Sequence, residues 1–366
     1  MGRGRANCQG EAGLKREFDV CVLPGDGIGV EVIEATLPVL EKVQQGFGLR
    51  FKSYPAGAHH YQRTGEALPE TTFAAAKAAD AILFGAMGWP QIRYPDGTEI
   101  APQLDLRFRL ELYAGVRPAR AIPGIPLPLA DPRANQIDLV VVRESTEGLF
   151  ASRGKGVVED DREARDTMVI TRKGSERVHE FAFRLAARRK KRTVTCVDKA
   201  NVFASMAFFR RIFDEVAARH PETQARHHYI DATALDLVRK PWEFDVLVTE
   251  NMFGDILSDQ TAALVGGMGM APSADIGDEH AVFQPCHGSA PDIQGQGKAN
   301  PTACFLSAAM MLDWLAERSG NDALARAARR IEQAVDQVFS SAKATPFEFG
   351  GTAGTAALRD AVLSNL

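Results

Sequence analysis

The stretch Asn251-Met252-Phe253-Gly254-Asp255-Ile256-Leu257-Ser258-Asp259 follows a strand-like run, Phe244 to Thr249. Started as a helix, it sets Asp255 and Asp259 four residues apart on one face, about 6 Å along the axis, close enough to grip one cation. Without a cation the arrangement is unfavourable. Like charges at this spacing destabilise a helix by roughly 0.2–0.5 kcal/mol, and a divalent ion turns the repulsion into attraction. Taken alone, the pair more readily describes a solvated acidic face near a helix start, where the macrodipole favours carboxylates.

Outward from this stretch, strand-like and helix-like patterns alternate. Phe18 to Leu23, Ala81 to Phe84, Asp138 to Arg143, Thr193 to Val197 and Tyr229 to Asp231 read as further strands. Between them, Val30, Ile33, Leu37, Leu40 and Val43 form one helical stripe and Gln103 to about Tyr113 a second helix, ended by Gly115 and the Arg117-Pro118 step. Val178, Phe181, Ala182 and Leu185 mark a third, and Phe203, Ala207 and Phe208 a fourth; Phe305 to Glu317 and Ala323 to Val338 finish the chain as two more. The alternating order predicts an α/β fold on a largely parallel sheet, with Ile122 to Pro132 as a surface connection.

Composition narrows the function classes. With 25% charged residues, 45% hydrophobic residues and a net charge of −4, the 366-residue chain is an ordinary globular protein of two to three domains. No run of about 18 apolar residues marks a membrane span. The basic run Arg188 to Arg192 suits a helix C-terminus better than a nucleic-acid site. Met1 to Arg16 lacks the apolar core of a secretory signal and reads as a disordered leader or an expression remnant. Five scattered cysteines without a Cys-x-x-Cys pair point to neither a disulfide framework nor a zinc site, which fits the cytoplasm. Pro24-Gly25-Asp26-Gly27-Ile28-Gly29 is only a partial dinucleotide fingerprint, because Val32 stands where the third glycine belongs.

The stretch Asn-x-Phe-Gly-Asp-Ile-Leu-Ser-Asp resembles the metal-binding signature of the β-decarboxylating dehydrogenases, whose substrates include 3-isopropylmalate, isocitrate, homoisocitrate, tartrate and D-malate. Further matches run in family order from about residue 20 to residue 301. The resemblance implies a two-domain isopropylmalate dehydrogenase-like fold with a large mixed, mostly parallel sheet. Residues 1–112 and 266–366 would form a larger domain with most of the cofactor site, and 113–265 a smaller one with Lys199, the metal carboxylates and a homodimer interface.

The resemblance also assigns residues. Arg107, Arg117 and Arg143 clamp the carboxylates of a diacid substrate, a task suited to planar, permanently charged guanidiniums. An intrahelical pair with Glu111 is the plain alternative for Arg107. Asp198-Lys199-Ala200-Asn201-Val202 matches the motif in which Lys199 is the base on the 2-hydroxyl and Asn201 lies beside the nicotinamide. Asp231 matches the third metal carboxylate, with Asp255 and Asp259, for Mg²⁺ or Mn²⁺. Lys199 and Asp231 reach the partner's cleft across the dimer. His287-Gly288-Ser289-Ala290-Pro291-Asp292-Ile293, followed by Asn300, resembles the adenosine-binding loop, and Ile28 borders the cofactor cleft. Asp292 would accept both ribose hydroxyls of NAD and repel the 2′-phosphate of NADP.

One position departs from the pattern: Phe150 stands where the family places a tyrosine that protonates the enolate. General-acid help is typically worth ~10²–10⁴-fold, so oxidation without efficient decarboxylation becomes a rival activity. A catalytically silent regulatory paralogue is the rival outside enzymology, disfavoured by the intact Lys199, Asp231, Asp255 and Asp259. The substituent at C3 would meet Ile100, Ala101, Gln103 and Leu104, a lining less apolar than an isopropyl group demands.

Overall fold

A computed structural model describes residues 16–366, so the expected leader, apart from Arg16, lies outside the described residues. In chain order the first half comprises β1 (Glu17–Gly25), α1 (Ile28–Lys42), β2 (Gly48–Ser53), α2 (Ala58–Thr64), α3 (Glu70–Ala78), β3 (Ala81–Ala86), α4 (Pro102–Arg109), β4 (Ala114–Arg120), β5 (Asp138–Glu144) and a short hairpin, β6 (Val157–Glu159) and β7 (Glu163–Arg165). The second half comprises α5 (Arg172–Ala187), β8 (Thr193–Asp198), α6 (Ala204–Ala217), β9 (Gln224–Tyr229), α7 (Ile230–Arg239), β10 (Val246–Thr249), α8 (Asn251–Leu264), β11 (Pro272–Ile276), β12 (Ala281–Pro285), α9 (Thr302–Ser319), α10 (Asp322–Ser340) and α11 (Thr355–Leu363).

Ten strands form one sheet in the order β2-β1-β3-β12-β11-β4-β5-β10-β8-β9. The outer strands pair in parallel on both flanks, and β12-β11-β4-β5 in the middle pair antiparallel. The sheet is therefore mixed and mostly parallel. Because strand side chains alternate between faces, the two sides can be assigned from the core. Val20 and Val22, Val140 and Val142, Ala274 and Phe283 face a large cluster that α1, α5, α6, α9 and α10 cover. On the opposite face there are two smaller clusters. Cys21, Leu23, Ile82 and Val282 pack with Leu106 of α4 and with Leu110 just after it, whereas Leu139, Val141 and Leu247 pack with Leu237 of α7 and Leu257 of α8.

Between these two small cores, the same face turns polar. Cross-strand partners align Arg143 with Gly115 and Gly115 with Asp275; Arg117 lies two residues along β4 on the same side. The sheet order thus gathers charged side chains from three adjacent central strands into one gap between two apolar packings.

Several sequence expectations shift at their edges. The second helix ends at Arg109, not near Tyr113; Gly115 and Arg117 belong to β4, where antiparallel pairing to β5 accommodates Pro118. Val30 is exposed, and Val32, Ile33, Val39 and Leu40 carry the buried stripe of α1. Phe203 precedes α6 and is exposed, while Met206, Phe209 and Phe213 bury that helix. The strand expected at Tyr229 to Asp231 lies earlier, as β9, and Asp231 opens α7. β2, β11, β12 and α11 add to the elements read from the sequence.

Candidate active site

Helix α8 explains the spacing of its motif. Glu250 caps it, its carboxylate accepting from the N–H groups of Phe253 (2.7 Å) and Met252 (3.1 Å), which satisfies donors the helix start leaves unpaired. Asn251 and Asp255, one turn apart, both hold Arg143: Nε donates to Asn251 Oδ1 at 2.8 Å, and an ion pair joins Arg143 to Asp255. Gly254 lies between them because a Cβ there would sit 2.6 Å from Arg143 Cβ. The glycine lets α8 lie directly on the strand that carries the arginine.

Arg107, Arg117 and Arg143 are all buried and line a cavity of about 400 Å³ with Thr98, Glu99, Ala101, Gln103, Leu104, Phe150, Arg153, Asp255, Gln284 and Cys286. Their main internal counter-charge is Asp275, which sequence reading missed. Arg107 Nη2 donates to Asp275 Oδ2 at 2.9 Å and Arg117 Nη2 to Oδ1 at 3.4 Å. Burial alone would raise the Asp275 pKa, but Arg107 and Arg117 outweigh it and hold the carboxyl below its ordinary value. Arg107 therefore has a tertiary partner, not the intrahelical one; Glu111 pairs with Lys173 at 3.2 Å. Burial and the nearby Arg107 lower the Arg143 pKa to about 10, and Arg107 Nε is buried without a hydrogen-bond partner. Such crowding of guanidiniums around one cavity favours an anion there.

Beside this cation set, α8 presents Asp255 and Asp259. Burial and the charge of Asp255 raise the Asp259 pKa. Two oxygen donors of this kind suit a hard divalent metal, but no group of three or more candidate ligands occurs among the described residues. Asp231 lies elsewhere: its carboxylate is 68% exposed and pairs with Lys199 Nζ at 2.7 Å. Lys199 follows β8 and does not line the arginine cavity. Asp198, just before it, is buried and held by Arg210 at 2.7 and 2.8 Å. Asn201 is exposed.

The adenosine-type loop closes against α1. Ile28 N–H donates to Ser289 carbonyl at 2.9 Å, and a Cβ on Gly27 (φ 56°) would meet that oxygen at 2.0 Å, so only glycine allows this contact. His287 Nδ1 donates to the Gly288 carbonyl (3.0 Å), and its Nε2 is buried without a partner. Burial lowers the His287 pKa, keeping the ring neutral at pH 7. Gly288 and Asp292 are exposed, and Ala290 and Ile293 pack partly against the large core. Asn300 is committed elsewhere: its Oδ1 accepts from Thr302 N (3.1 Å) and Oγ1 (2.7 Å), and its amide nitrogen reaches Glu348. An unpartnered buried ring nitrogen and an exposed acid on one glycine-lined loop fit a dinucleotide.

Two further expectations concern the substituent side. Ile100 is wholly buried in a small cluster with Ala58 and Ala67, so it lines no part of the cavity that its neighbours Glu99, Ala101 and Gln103 do. Phe150 does line it, and the Arg143 guanidinium stands 4.8 Å from its ring centroid.

A mixed α/β sheet whose central strands hold a guanidinium cluster under a carboxylate-bearing helix, next to a dinucleotide-type loop, defines a dehydrogenase class acting on anionic substrates. The isocitrate/isopropylmalate dehydrogenase family model matches residues 19–362, and the chain belongs to that family. It is 44% identical over 341 residues to a 3-isopropylmalate/3-methylmalate dehydrogenase of Methanocaldococcus jannaschii, covering 92% of this chain and 95% of that one. An isocitrate/homoisocitrate dehydrogenase of Thermus thermophilus is 43% identical over 354 residues, covering 95% and 98%. The crystal structure of isocitrate dehydrogenase from Methylococcus capsulatus superposes with a TM-score of 0.83 at 36% identity, covering 95% and 99%. Family members named 3-isopropylmalate dehydrogenases are NAD-dependent decarboxylating enzymes acting on a CH–OH group, and they use a divalent metal such as Mg²⁺ or Mn²⁺.

Proposed function

We propose that this chain oxidises a (2R)-2-hydroxy diacid of the substituted-malate class at C2 with NAD and releases its β-carboxylate, in a site completed by a divalent metal and a second copy of the chain. The observation that carries this is the set of three buried guanidiniums around one cavity, with Arg107 Nε unpaired and Asp275 shared between two of them. A diacid supplies the missing negative charge. Asp255 and Asp259, with Asp231 from the second copy, would hold the metal, whose chemistry is to polarise the substrate's hydroxyl and offset charge as CO₂ leaves. Arg107, Arg117 and Arg143 orient the carboxylates, and Lys199 from the second copy takes the hydroxyl proton. His287, Ser289, Asp292, Asn201 and Ile28 are the contacts we assign to NAD.

Support for the homodimer comes from where Lys199 and Asp231 sit. Lys199 follows β8 and Asp231 follows the edge strand β9, outside the arginine cavity, and the segments that carry them also expose Val202, Phe203, Leu235 and Val238. A division into 1–112 plus 266–366 and 113–265 fits the two separate small cores on the site's face. Free Cys21, Cys196, Cys286 and Cys304 fit a reducing cytoplasm, and no helix among the described residues is long and apolar enough to cross a membrane.

The test is a panel of substituted malates with NAD or NADP and Mn²⁺, scoring NADH and CO₂ together. Both products with NAD are expected; neither product on any diacid rejects the proposal and favours the silent paralogue. NADH without CO₂ selects the oxidation-only reading, which Phe150 favours because its ring has no proton to give. In that case Phe150→Tyr should raise the CO₂ to NADH ratio.

A further inference from the structure

We infer that Glu31 is a positioning residue for the cofactor: it fixes the turn that carries Asp292, and so sets both the affinity for NAD and the preference for NAD over NADP. The inference rests on the assignment of the His287–Ile293 loop to NAD, and it names a side chain on α1 that acts through this loop without touching the dinucleotide.

The first turn of α1 grips the loop on both sides of Asp292. Ahead of it, the Ile28 N–H donates to the Ser289 carbonyl at 2.9 Å. Beyond it, Glu31 Oε1 accepts from the Gly295 N–H. Ile28 and Glu31 stand three residues apart on α1, so one helix face carries both anchors. Between the anchors the chain is tightly turned: the Ile293 N–H donates to the Ala290 carbonyl and the Gln296 N–H to the Ile293 carbonyl, both at 3.2 Å. Farther along, a separate element holds the chain, with Thr355 donating from its N–H to the Gly297 carbonyl at 2.8 Å and from Oγ1 to the Ala299 carbonyl at 2.7 Å. Asp292 is exposed, and among the described residues no side chain pairs with its carboxylate. Where that carboxylate points is therefore set by the backbone of the turn. Ile293 packs partly against the large core, so loss of the Glu31 anchor loosens the turn without unfolding it.

The plain alternative is an acid placed for the dipole at the start of α1. That role asks for no desolvation, yet Glu31 Oε2 is buried and has no hydrogen-bond partner. Leaving a carboxylate oxygen dry costs the fold, whereas the other oxygen makes a charge-assisted bond that orders an exposed turn. The cost falls on the fold and the gain on the turn, which ties Glu31 to what the turn binds. A turn ordered in advance spares the cofactor the entropy of ordering it.

The experiment titrates the full chain with NADH and with NADPH by cofactor fluorescence in the absence of substrate, for wild type, Glu31→Ala and Glu31→Gln, with thermal melting reporting that each variant is folded. Glu31→Ala should weaken NADH binding by roughly 10-fold or more, the weight of a hydrogen bond to a charged group, and should narrow the NADH to NADPH preference. In turnover with the diacid that the substrate panel selects, its KM for NAD should rise by a similar factor while kcat and the KM for the diacid stay within about twofold. Glu31→Gln keeps an acceptor for the Gly295 N–H and should bring NADH binding back to within about threefold of wild type. An unchanged NADH dissociation constant in folded Glu31→Ala, or equal losses in the two variants, overturns the inference while leaving the dehydrogenase reading intact. Failure of the wild-type chain to bind either dinucleotide overturns both.

Discussion

The arginine cavity and the Lys199–Asp231 pair are built on different terms. In the cavity, charges from β4, β5, β11 and α4 are buried, cross-linked through Asp275, and capped by α8 at a glycine. At the sheet edge, Lys199 and Asp231 pair with each other, and the Asp231 carboxylate is mostly exposed. Its pKa is lowered by the hydrogen bond from Lys199. Burial in the cavity fixes geometry at a desolvation cost that ion pairing offsets. The edge pair bears little such cost, and it is free to exchange its partner when another surface covers it. Burial and cross-linking thus pre-organise one charged cluster, whereas the pair outside it is held by a single exposed ion pair.

The comparison breaks most sharply if the edge pair proves idle. Lys199→Met should lower kcat by ~10²–10⁴-fold, the usual weight of a general base, while calorimetric binding of a diacid in the presence of Mn²⁺ stays measurable. Mixing Lys199→Met with Arg107→Met protomers should restore about a quarter of wild-type activity, since half the dimers are mixed and each has one intact shared site. No recovery on mixing would place both residues in the same subunit's site.

On the cavity side, Asp275→Asn removes the charge shared by Arg107 and Arg117. Unpairing a buried ion cluster costs about 3–5 kcal/mol, so urea unfolding should show a loss of that size. A loss below about 1 kcal/mol would mean that the guanidiniums are hydrated and the cavity is not pre-organised.

The smallest effect lies at Glu144, which follows Arg143 in β5 and points to the other face of the sheet. Burial raises the Glu144 pKa to about 7, against the hydrogen bonds it accepts from Thr146 and Glu147. Between pH about 4.5 and about 7 the folded chain retains a proton that the unfolded chain has lost, so stability falls as pH rises through this window. Glu144→Gln should flatten that fall, by ~1–3 kcal/mol between pH 5 and 8. Parallel melting curves for the two proteins across that range would show that Glu144 is ionised and solvated.

Much of this was legible along the chain. The spacing of Asp255 and Asp259 predicts their shared helix face, and the alternating β/α order predicts β1, β3, β5, β8 and β10. What escaped shares a cause: β4 and β11 pair antiparallel through residues of mixed character, and Pro118 argues locally against a strand. Local sequence therefore sets Arg117 beside a helix and gives no reason to single out Asp275. Ile100 departs from expectation because sequence proximity to Arg107 does not tell which way a side chain turns.

The sequence by itself determined the residue types and their local spacing: a carboxylate pair at helical period, arginines suited to carboxylates, a glycine-lined loop ending in an acid. Local periodicity carries such information because it depends only on backbone geometry. Only the tertiary structure decided that Arg107, Arg117, Arg143 and Asp275 meet between two small cores, and that Lys199 and Asp231 stay outside. Those outcomes depend on which strands become neighbours, and strand order is set by long-range packing of whole faces, which no stretch of sequence contains.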